Sequence, residues 1–246
     1  MIEATTVIVS DAHLNPSDER ARLQFHNFLE KIPEIGNHLL VNGDLFEFWF
    51  EYRSVIPRRA FRTVEAISRL VDRGPKVTII GGNHDRWGLD FWPKEVGADF
   101  HRGPVNLTIS GWNAHVSHGD SLLERRFLPR LLHTVTRLKL TETVFRAIHP
   151  DLGMKFVDML SGTLAEKPLP VKDQEQVAQC QIDSARKILS DRPEVELVVM
   201  SHTHSPRSEL FGERKRFLNP GAWCEGFRYA TVTPNEVNLL QYKALE

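Results

Sequence analysis

The sequence predicts an α/β fold with a parallel βαβ core, followed by a helical segment and further strands. Three observations lead to this prediction. In the first third, short apolar runs rich in β-branched residues alternate with stretches in which apolar residues recur at helical spacing. Residues 121–172 show a helical character only. The last part of the chain again contains short apolar runs, which turn-forming Gly, Pro and Asn separate.

The first third supplies the parallel core. The segment Pro57–Asp72 carries its apolar residues on one stripe, begins with Pro and is followed by Gly74-Pro75, as is typical of a helix. Strands that alternate with helices in this way pair in parallel. The predicted elements, in chain order, are strand Thr5–Ser10, helix Asp18–Lys31, strand His38–Asn42, helix Pro57–Asp72 and strand Lys76–Ile80.

The rest of the chain contains one long helical pattern between groups of short strands. Asp173–Leu189 is predicted to be a helix because Ala178, Ile182 and Ala185 fall on one face. The predicted strands are Val105–Ile109, Asn113–Ser117, Val195–Met200, a short one near Phe217, Phe227–Thr231 and Val237–Gln241.

The composition is that of a globular protein. The 246 residues include 31 Lys and Arg and 32 Asp and Glu, so the formal net charge of −1 argues against a general nucleic-acid binder. No apolar run is long enough to span a bilayer, and we expect no signal peptide. Two isolated cysteines, Cys180 and Cys224, argue against a thiolate zinc site and a disulfide framework, which favours a reducing cytosol. We expect one domain, 1–246, with a helical insertion at 122–172.

Polar side chains follow five of the predicted strands, at the point where each strand ends. Ligands of open α/β sheets bind beyond the carboxyl ends of the strands, so we expect these side chains to meet at one edge. Carboxylates, imidazoles and an amide oxygen suit a divalent ion such as Mn²⁺, Fe²⁺ or Zn²⁺, and seven ligands suit two ions if one carboxylate bridges them. The candidates are Asp11, His13, Asp44, Asn83, His118, His202 and His204.

Each of these motifs alone has an ordinary structural explanation. An isolated Asp-x-His is most often a turn or a surface pair, and Gly-Asp is common in loops. Gly-Asn-His-Asp at 82–85 and His-x-His at 202–204 are more specific, and the motifs together favour a metal site. The other histidines are mostly expected to pack in the core or to face solvent; these are His26, His38, His101, His115 and His133.

Asp-x-His, Gly-Asp, Gly-Asn-His-Asp, His-Gly-Asp and His-x-His, in this order, resemble the signature of the calcineurin-like metallophosphoesterases. The resemblance covers nearly the whole chain. It implies a four-layer αββα fold, in which a double β-sandwich is flanked by helices, and a dinuclear metal site. It also implies a division of the ligands: Asp11, His13 and His204 for the first ion, Asn83, His118 and His202 for the second, and Asp44 as the bridge.

The same resemblance implies two-metal phosphoester chemistry. The ions, two Mn²⁺ or alternatively Fe²⁺ or Zn²⁺, would clamp phosphate oxygens, activate a bridging water and stabilise the developing charge. His84 would stabilise the transition state or protonate the leaving group, with Asp85 orienting it. Asn83, His84 and His202 would contact the substrate phosphate.

Three further segments narrow the resemblance. Residues 43–52 (GDLFEFWFEY), 149–153 (HPDLG) and 221–223 (GAW) resemble the UDP-2,3-diacylglucosamine pyrophosphohydrolases of lipid A synthesis. This implies hydrolysis of the pyrophosphate of that nucleotide-linked glycolipid, giving UMP and 2,3-diacylglucosamine 1-phosphate. The chain departs from the pattern at His84, where many members of that family have Arg.

Two alternatives therefore stay open. Because His84 restores the general phosphoesterase motif, one alternative is a metallophosphoesterase that acts on another nucleotide or on a phospholipid headgroup. The other, from a different class, is a non-catalytic scaffold with this fold. Such a scaffold is expected to have lost ligands, whereas all seven candidates are present in this chain.

The predicted insertion differs in charge from the rest of the chain. Residues 122–172 contain nine Lys and Arg and five Asp and Glu, so the segment carries +4 and the remainder −5. Its apolar residues follow two helical stripes: Leu128, Leu131, Leu132, Val135 and Leu138, then Phe156, Val157, Leu160 and Leu164. A basic amphipathic helix pair can lie on an anionic membrane or form a lid over acyl chains. The alternative is a helical cap packed on the core with a solvated basic face.

These patterns and resemblances together predict where the protein works. We expect a cytoplasmic protein that is peripheral on the cytoplasmic face of the inner membrane of a Gram-negative-type bacterium. Its expected partner is a nucleotide-linked glycolipid substrate, with no nucleic acid. The sequence makes no prediction of the oligomeric state.

Overall fold

Two β-sheets form the centre of the molecule. The structure is a computed structural model, and it describes residues 4–15, 17–120, 138–164 and 171–243. The strands, in chain order, are β1 (Thr6–Val9), β2 (His38–Asn42), β3 (Lys76–Ile80), β4 (Asp99–His101), β5 (Val105–Ile109), β6 (Trp112–Val116), β7 (Leu197–Val199), β8 (Arg207–Leu210), β9 (Arg216–Asn219), β10 (Arg228–Val232) and β11 (Val237–Gln241).

The first sheet contains the parallel core that the sequence predicts. Its strand order is β11-β10-β1-β2-β3-β4, in which β1 to β4 run parallel and β10 is antiparallel to β1. The register places Thr6 opposite His38 and Leu39 opposite Val77. Parallel neighbours need a crossover connection, and here the helices α1 (Glu19–Ile35) and α2 (Phe61–Asp72) supply it.

The two crossover helices cover the outer face of the first sheet. At the start of α1 the side chain of Asp18 accepts a hydrogen bond of 2.8 Å from the backbone N–H of Ala21, which satisfies one of the free donors of the first turn. Alternate strand residues point towards the helices and pack against their apolar stripes. The packed side chains include Val7, Leu39 and Val77 from the strands, Phe25, Phe28 and Ile32 from α1, and Val64, Ile67 and Leu70 from α2.

The second sheet has the strand order β5-β6-β7-β9-β8. Its central strands β6, β7 and β9 are parallel, whereas β5 and β8 pair antiparallel at the edges. The helix α5 (Val171–Asp191) covers its outer face, where Ile182, Ala185 and Leu189 pack against Val198 and Phe217. The layers are therefore helix, sheet, sheet and helix.

The inner faces of the two sheets pack against each other. Their contact buries Ile8, Leu40 and Ile80 of the first sheet against Val116, Leu197, Val199 and Leu218 of the second. Each such side chain contributes about 1.5–3 kcal/mol by leaving water, so this layer holds the two sheets in a fixed relation. The predicted four-layer αββα double β-sandwich is confirmed.

Helices also occur within the predicted insertion. They are α3 (Lys139–Ala147) and α4 (Pro150–Leu164), and Phe145 of α3 packs with Phe50 and Tyr52. Most of the first predicted stripe, Leu128 to Val135, lies outside the described residues. Of the second stripe, Val157 packs on this aromatic cluster, while Phe156 is 49% exposed. Within the described ranges, the structure has no helix with the length and apolar character to cross a membrane.

Some elements differ from the prediction in extent. The first crossover helix continues to Ile35 and passes through Pro33, beyond the predicted end at Lys31. The short strands β4 and β8 and the π-helix Trp92–Val96 were not predicted. The two strands contain three and four residues, include charged side chains and lie at sheet edges, so they lack an apolar pattern.

Candidate metal centre

The predicted side chains converge where five strands end. Asp11 and His13 follow β1, Asp44 follows β2, and Asn83 follows β3 of the first sheet. From the second sheet, the loop after β6 brings one histidine and the loop after β7 brings two. These three are His118, His202 and His204. The inner packing of the two sheets therefore sets the distance between ligands that lie far apart in sequence.

Unusual backbone conformations are concentrated at these positions. In the described chain seven non-glycine residues have positive φ, and five of them are candidate ligands. Residues other than glycine rarely adopt positive φ, because their Cβ crowds the neighbouring carbonyl. The conformation costs on the order of 1–3 kcal/mol. The five are Asp11 (49°), His13 (45°), Asp44 (52°), His202 (70°) and His204 (56°).

The structure brings the first predicted ligand set together. Asp11, His13 and His204 each offer an atom within 4.8 Å of the others, so that one ion could contact all three. Nε2 of His204 lies 3.6 Å from Oδ1 of Asp11. Asp11 is fully buried, and the backbone N–H of His202 donates to its second oxygen, Oδ2, at 3.2 Å. Oδ1 is therefore the oxygen that faces the histidines.

A second group lies beside the first. Asp44, His118 and His202 also offer atoms within 4.8 Å of one another. Oδ2 of Asp44 lies 3.0 Å from Nε2 of His118 and 3.9 Å from Nε2 of His13, which belongs to the first group. This position between the two groups fits a bridging carboxylate.

The amide oxygen of Asn83, in the loop after β3, is a further candidate ligand. Within the described residues, Oδ1 of Asn83 and Oδ1 of Asp11 are buried and have no hydrogen-bond donor. An unsatisfied buried oxygen costs about 1–3 kcal/mol, so native proteins seldom retain one without a function. A carboxylate oxygen and an amide oxygen without donors are ligand types that suit a divalent metal ion, together with the imidazoles of the two groups.

Three of the histidines present the same ring nitrogen to the carboxylates. Nδ1 of His118 lies 3.0 Å from the carbonyl oxygen of Asn42, and because a carbonyl only accepts, Nδ1 carries the proton. Nε2 of His118 then faces Asp44. The other two rings follow the same pattern: Nδ1 of His204 faces Glu225 at 2.7 Å, and Nδ1 of His13 faces Glu47 at 3.6 Å. Metal-binding histidines are typically held in this way.

The carboxylates make the centre favourable for positive charge. Burial opposes charging of His118, yet the Asp44 and Asp11 carboxylates outweigh it and raise the pKa of His118 to about 10. Against the effect of burial, Asp11 and Glu225 raise the pKa of His204 to about 9. Despite burial, the neighbouring histidines hold the pKa of the Asp44 carboxyl well below its usual range. A site with this electrostatic character favours a bound cation.

His84 stands at the edge of the same cluster. Its ring lies 4.9 Å from the ring of His13 in an edge-on arrangement, and its backbone N–H donates to Asp44 at 3.0 Å. Nδ1 donates to the carbonyl oxygen of Glu47 at 2.7 Å, which leaves Nε2 as the ring atom available to a substrate. His13, Asp44 and His84 also form a third group of closely spaced ligand atoms.

Asp85 binds the backbone of two neighbouring loops. Its carboxylate is buried and accepts hydrogen bonds from the backbone N–H groups of Asp44 at 3.3 Å and Leu45 at 2.7 Å. The ring of His84 is held by the carbonyl of Glu47. Both oxygens of Asp85 bind backbone groups, including the N–H of Gly82 at 2.7 Å, and its role in orienting His84 stays a prediction. Asp85 ties the loop after β3 to the loop after β2 and so fixes the backbone of Asp44.

Two glycines let the backbone pass close to the ligands. A Cβ at Gly43, where φ is +87°, would lie 2.2 Å from Nδ1 of His118. A Cβ at Gly82 would lie 2.1 Å from Oδ1 of Asp44. Any side chain at either position would displace a candidate ligand.

Sequence reasoning missed the residues that support the ligands. Glu47 faces Nδ1 of His13, and Glu225 faces Nδ1 of His204. Arg86 forms a largely buried ion pair with Asp120 and donates to the carbonyl oxygen of Gly82 at 3.1 Å, which links the loops after β3 and β6. Only the Asp in the His-Gly-Asp motif signalled any of these contacts, because the partners lie far apart in sequence.

The fold and the ligand groups define a class of protein. A model of the calcineurin-like phosphoesterase family matches residues 4–206, which is most of the chain. The chain therefore belongs to the calcineurin-like phosphoesterase family and is a metal-dependent hydrolase.

Individual relatives share less than a third of their residues with this chain. The UDP-2,3-diacylglucosamine hydrolase of Porphyromonas gingivalis is 29% identical over 242 residues, which cover 90% of this chain and 91% of the relative. The protein of the same name from Hahella chejuensis is 25% identical over 256 residues and covers 97% and 98% of the two chains. Among solved structures, Vacuolar Protein Sorting 29 from Cryptosporidium parvum is 15% identical, with a TM-score of 0.47 and coverage of 96% of this chain and 89% of the other.

Proposed function

We propose that the chain hydrolyses the pyrophosphate bond of UDP-2,3-diacylglucosamine to UMP and 2,3-diacylglucosamine 1-phosphate, a step of lipid A synthesis. The observation that carries this proposal is the pair of ligand groups linked by Asp44, next to an aromatic segment on which α3 packs. The relatives named UDP-2,3-diacylglucosamine hydrolase, which match nearly the full chain, support the same substrate.

The proposed site holds two Mn²⁺ ions, with Fe²⁺ or Zn²⁺ as alternatives. When bound, such ions act as Lewis acids on phosphate oxygens and lower the pKa of a bound water. The ligands would be Asp11, His13 and His204 for one ion, Asn83, His118 and His202 for the other, and Asp44 for both. The buried oxygens without donors and the fixed Nε2 atoms support this division.

The proposed role of His84 follows from its hydrogen bond. Since Nδ1 is bound to the carbonyl of Glu47, the protonated ring would present its second proton, on Nε2, to the substrate. That proton would stabilise the charge on the phosphate oxygens or pass to the leaving oxygen. Asn83 and His202 would contact the same phosphate.

The proposed lipid contact involves the helical insertion. Phe48, Phe50 and Trp87 lie in the cluster that packs against α3, and the partly exposed Phe48 and Trp87 offer an apolar surface next to the loops of the metal site. Several apolar side chains of α3, of α4 and of the turn between them are also exposed: Leu140, Val144, Ile148, Leu152, Phe156 and Met159. We propose that residues 122–172 form a lid over the acyl chains within a single domain. The protein would work at the cytoplasmic face of the inner membrane, as a peripheral protein.

The decisive experiment is hydrolysis of the lipid substrate by the purified, Mn²⁺-loaded protein in detergent. We expect release of UMP, and in H₂¹⁸O we expect the label in UMP, because water attacks the phosphorus next to uridine. UDP-N-acetylglucosamine, which lacks the acyl chains, serves as the matched control and is expected to react at least about 100-fold more slowly, since it lacks the apolar binding energy.

A second candidate rests on His84, which the chain has where many lipid A enzymes have Arg. If the protein releases no UMP from the lipid but cleaves soluble nucleotides or simple phosphodiesters rapidly, it acts on another phosphodiester. The variant His84→Arg separates the candidates further. It is expected to retain hydrolysis of UDP-2,3-diacylglucosamine if the guanidinium replaces the imidazole at the phosphate.

A further inference from the structure

A cavity rich in arginine lies at the junction between the core and the helical insertion. Its volume is about 820 Å³. One side is formed by the segment 55–62, which leads into α2, and another by the beginning of α4. None of the seven candidate metal ligands, all of which the structure describes, lines this cavity, so it is separate from the metal centre. The arginines that line it are Arg22, Arg58, Arg59 and Arg62.

Two of these arginines have uncompensated charge. Arg59 makes a bidentate ion pair with Asp158, at 2.9 and 3.0 Å. By contrast, among the residues that the structure describes, no carboxylate lies within ion-pair distance of Arg58 or Arg62. Arg58 lies in the 3-10 turn Arg58–Ala60 and Arg62 in the first turn of α2, and both side chains line the cavity. Guanidinium groups without a carboxylate partner that line one cavity favour an anion with several oxygens, such as phosphate.

A buried hydroxyl belongs to the same lining. Tyr52 is only 8% exposed, and in the described part of the chain its hydroxyl has no hydrogen-bond partner. A Cβ at Gly153 would lie 2.7 Å from that hydroxyl, so the glycine allows α4 to approach it. The close approach of α4 therefore covers this hydroxyl, and Tyr52 joins α4 to the cavity lining.

The rim of the cavity is apolar. Phe61 is 56% exposed and Val55 is 47% exposed, and both line the cavity. The acidic residue of the lining, Asp151, has an 86% exposed side chain and lies 3.9 Å from His149. Exposed aromatic and aliphatic side chains next to arginines are typical of surfaces that lie at a bilayer interface. A soluble anion would contact only the arginines. An anionic phospholipid would contact the arginines with its phosphate and the exposed apolar side chains with its acyl chains.

We propose that this cavity binds the phosphate of an anionic phospholipid and docks this face of the protein on a membrane. Arg58 and Arg62 would hold the phosphate oxygens, and Phe61 would enter the acyl region. This inference rests on the proposed function, because a protein that acts on a lipid-linked substrate has to reach a membrane. It assigns membrane contact to the turn before α2 and to the first residues of α2, in addition to the helical insertion.

The test is sedimentation of the full chain with vesicles of phosphatidylcholine that contain about one quarter phosphatidylglycerol. We expect binding to these vesicles, weakening with salt, and none to phosphatidylcholine alone. Arg58→Gln with Arg62→Gln is expected to lower the partition coefficient by about tenfold or more. The matched control, Arg186→Gln with Lys187→Gln, removes the same charge from α5 on the opposite outer layer and is expected to change it less than about twofold.

Equal binding by the Arg58 and Arg62 variant, or an equal loss in the control, would overturn the proposal. Inorganic phosphate is the second probe. If phosphate binds the wild-type protein but not this variant, while phosphatidylglycerol vesicles do not bind, the cavity takes a soluble anion and the docking proposal is wrong. Both arginines are exposed, and thermal unfolding checks that the variants fold. The vesicle assay contains neither metal nor substrate, so failure of the docking proposal can be told apart from failure of the hydrolase proposal.

Discussion

The carboxylate of Glu225 lies 2.7 Å from Nδ1 of His204, and Nε2 of the same ring faces Asp11 at 3.6 Å. The outer carboxylate therefore fixes both the orientation of the imidazole and the nitrogen that it presents to the centre. Partners of this kind are commonly needed for tight metal binding, because they hold the ligand in the binding orientation before the ion arrives.

The first prediction concerns this pair. Glu225→Gln is expected to weaken metal binding at the Asp11 group by about tenfold, because an amide holds the imidazole less strongly than a carboxylate does. The measurement is titration of the metal-free protein with Mn²⁺ by calorimetry. Glu213→Gln, in the turn between β8 and β9, is the control and should leave the affinity unchanged. Equal affinity in the Glu225 variant would show that the contact has no role in metal binding.

The second prediction concerns the carboxylate between the two groups. Asp44→Asn preserves the size of the side chain but removes its charge. Since Asp44 faces His118 and His13 at once, we expect bound metal to fall for both ions and hydrolysis to drop by about 100-fold or more. Metal analysis and phosphoesterase rates check this, with Asp72→Asn at the exposed end of α2 as control. Full metal content in the Asp44 variant would contradict a bridging role.

The third prediction separates catalysis from metal binding. His84→Ala is expected to reduce kcat by about 100-fold or more while the metal content stays near normal, because the hydrogen bond from Nδ1 to the Glu47 carbonyl turns Nε2 towards the substrate. The rate and the metal content are measured on the same preparation. Loss of an ion in this variant would instead make His84 a ligand, which its short distance to His13 and Asp44 would explain.

The fourth prediction concerns the backbone beside the ligands. Gly43→Ala places a Cβ 2.2 Å from Nδ1 of His118 at a φ of +87°, so it should break the hydrogen bond from His118 to Asn42. We expect a loss of about 2–4 kcal/mol in the free energy of unfolding. Gly103→Ala, which meets no atom within 4 Å, is the control and should change stability by less than about 0.5 kcal/mol. Urea unfolding of both variants measures the difference, and equal stability would contradict the steric argument.

Much of the fold and of the centre follows from the sequence. The strands His38–Asn42 and Lys76–Ile80 have the predicted bounds, because each is an apolar run between clear turn residues. Strand ends in a parallel sheet meet at one edge, which is why residues as far apart as Asp11 and His204 were predicted to meet. They lie within ion-pair distance of each other.

The supporting contacts could not be predicted in this way. Glu225 reaches His204 from 21 residues further along the chain, and no spacing marks the pair. The carboxylate of Asp85 binds the backbone N–H of Leu45, which lies 40 residues earlier in the chain. Periodicity reports which face of an element is buried, whereas these contacts depend on where two separate loops come to lie.

The fifth prediction concerns stability against pH, at a histidine away from the metal centre. His38 lies at the start of β2 between the hydroxyls of Thr6 and Thr78, at 3.1 and 3.0 Å. Burial, together with the charge of Lys76, lowers its pKa to about 4. In the unfolded chain a histidine titrates near about 6.5, so the unfolded state binds more protons between these values. The stabilisation from neutral His38 is therefore complete above about pH 6.5 and is lost as the pH falls towards 4.

A shift of this size is worth about 3 kcal/mol over the whole interval. His38→Gln removes the titrating group, so the fall in the free energy of unfolding between about pH 7.5 and pH 4.5 should become smaller by about 2 kcal/mol. Urea unfolding at the two pH values measures this. His149→Gln is the control, because the side chain of His149 is 68% exposed and its replacement should leave the pH dependence unchanged. If the His38 variant loses as much stability on acidification as the wild-type protein does, the buried neutral histidine is not the cause.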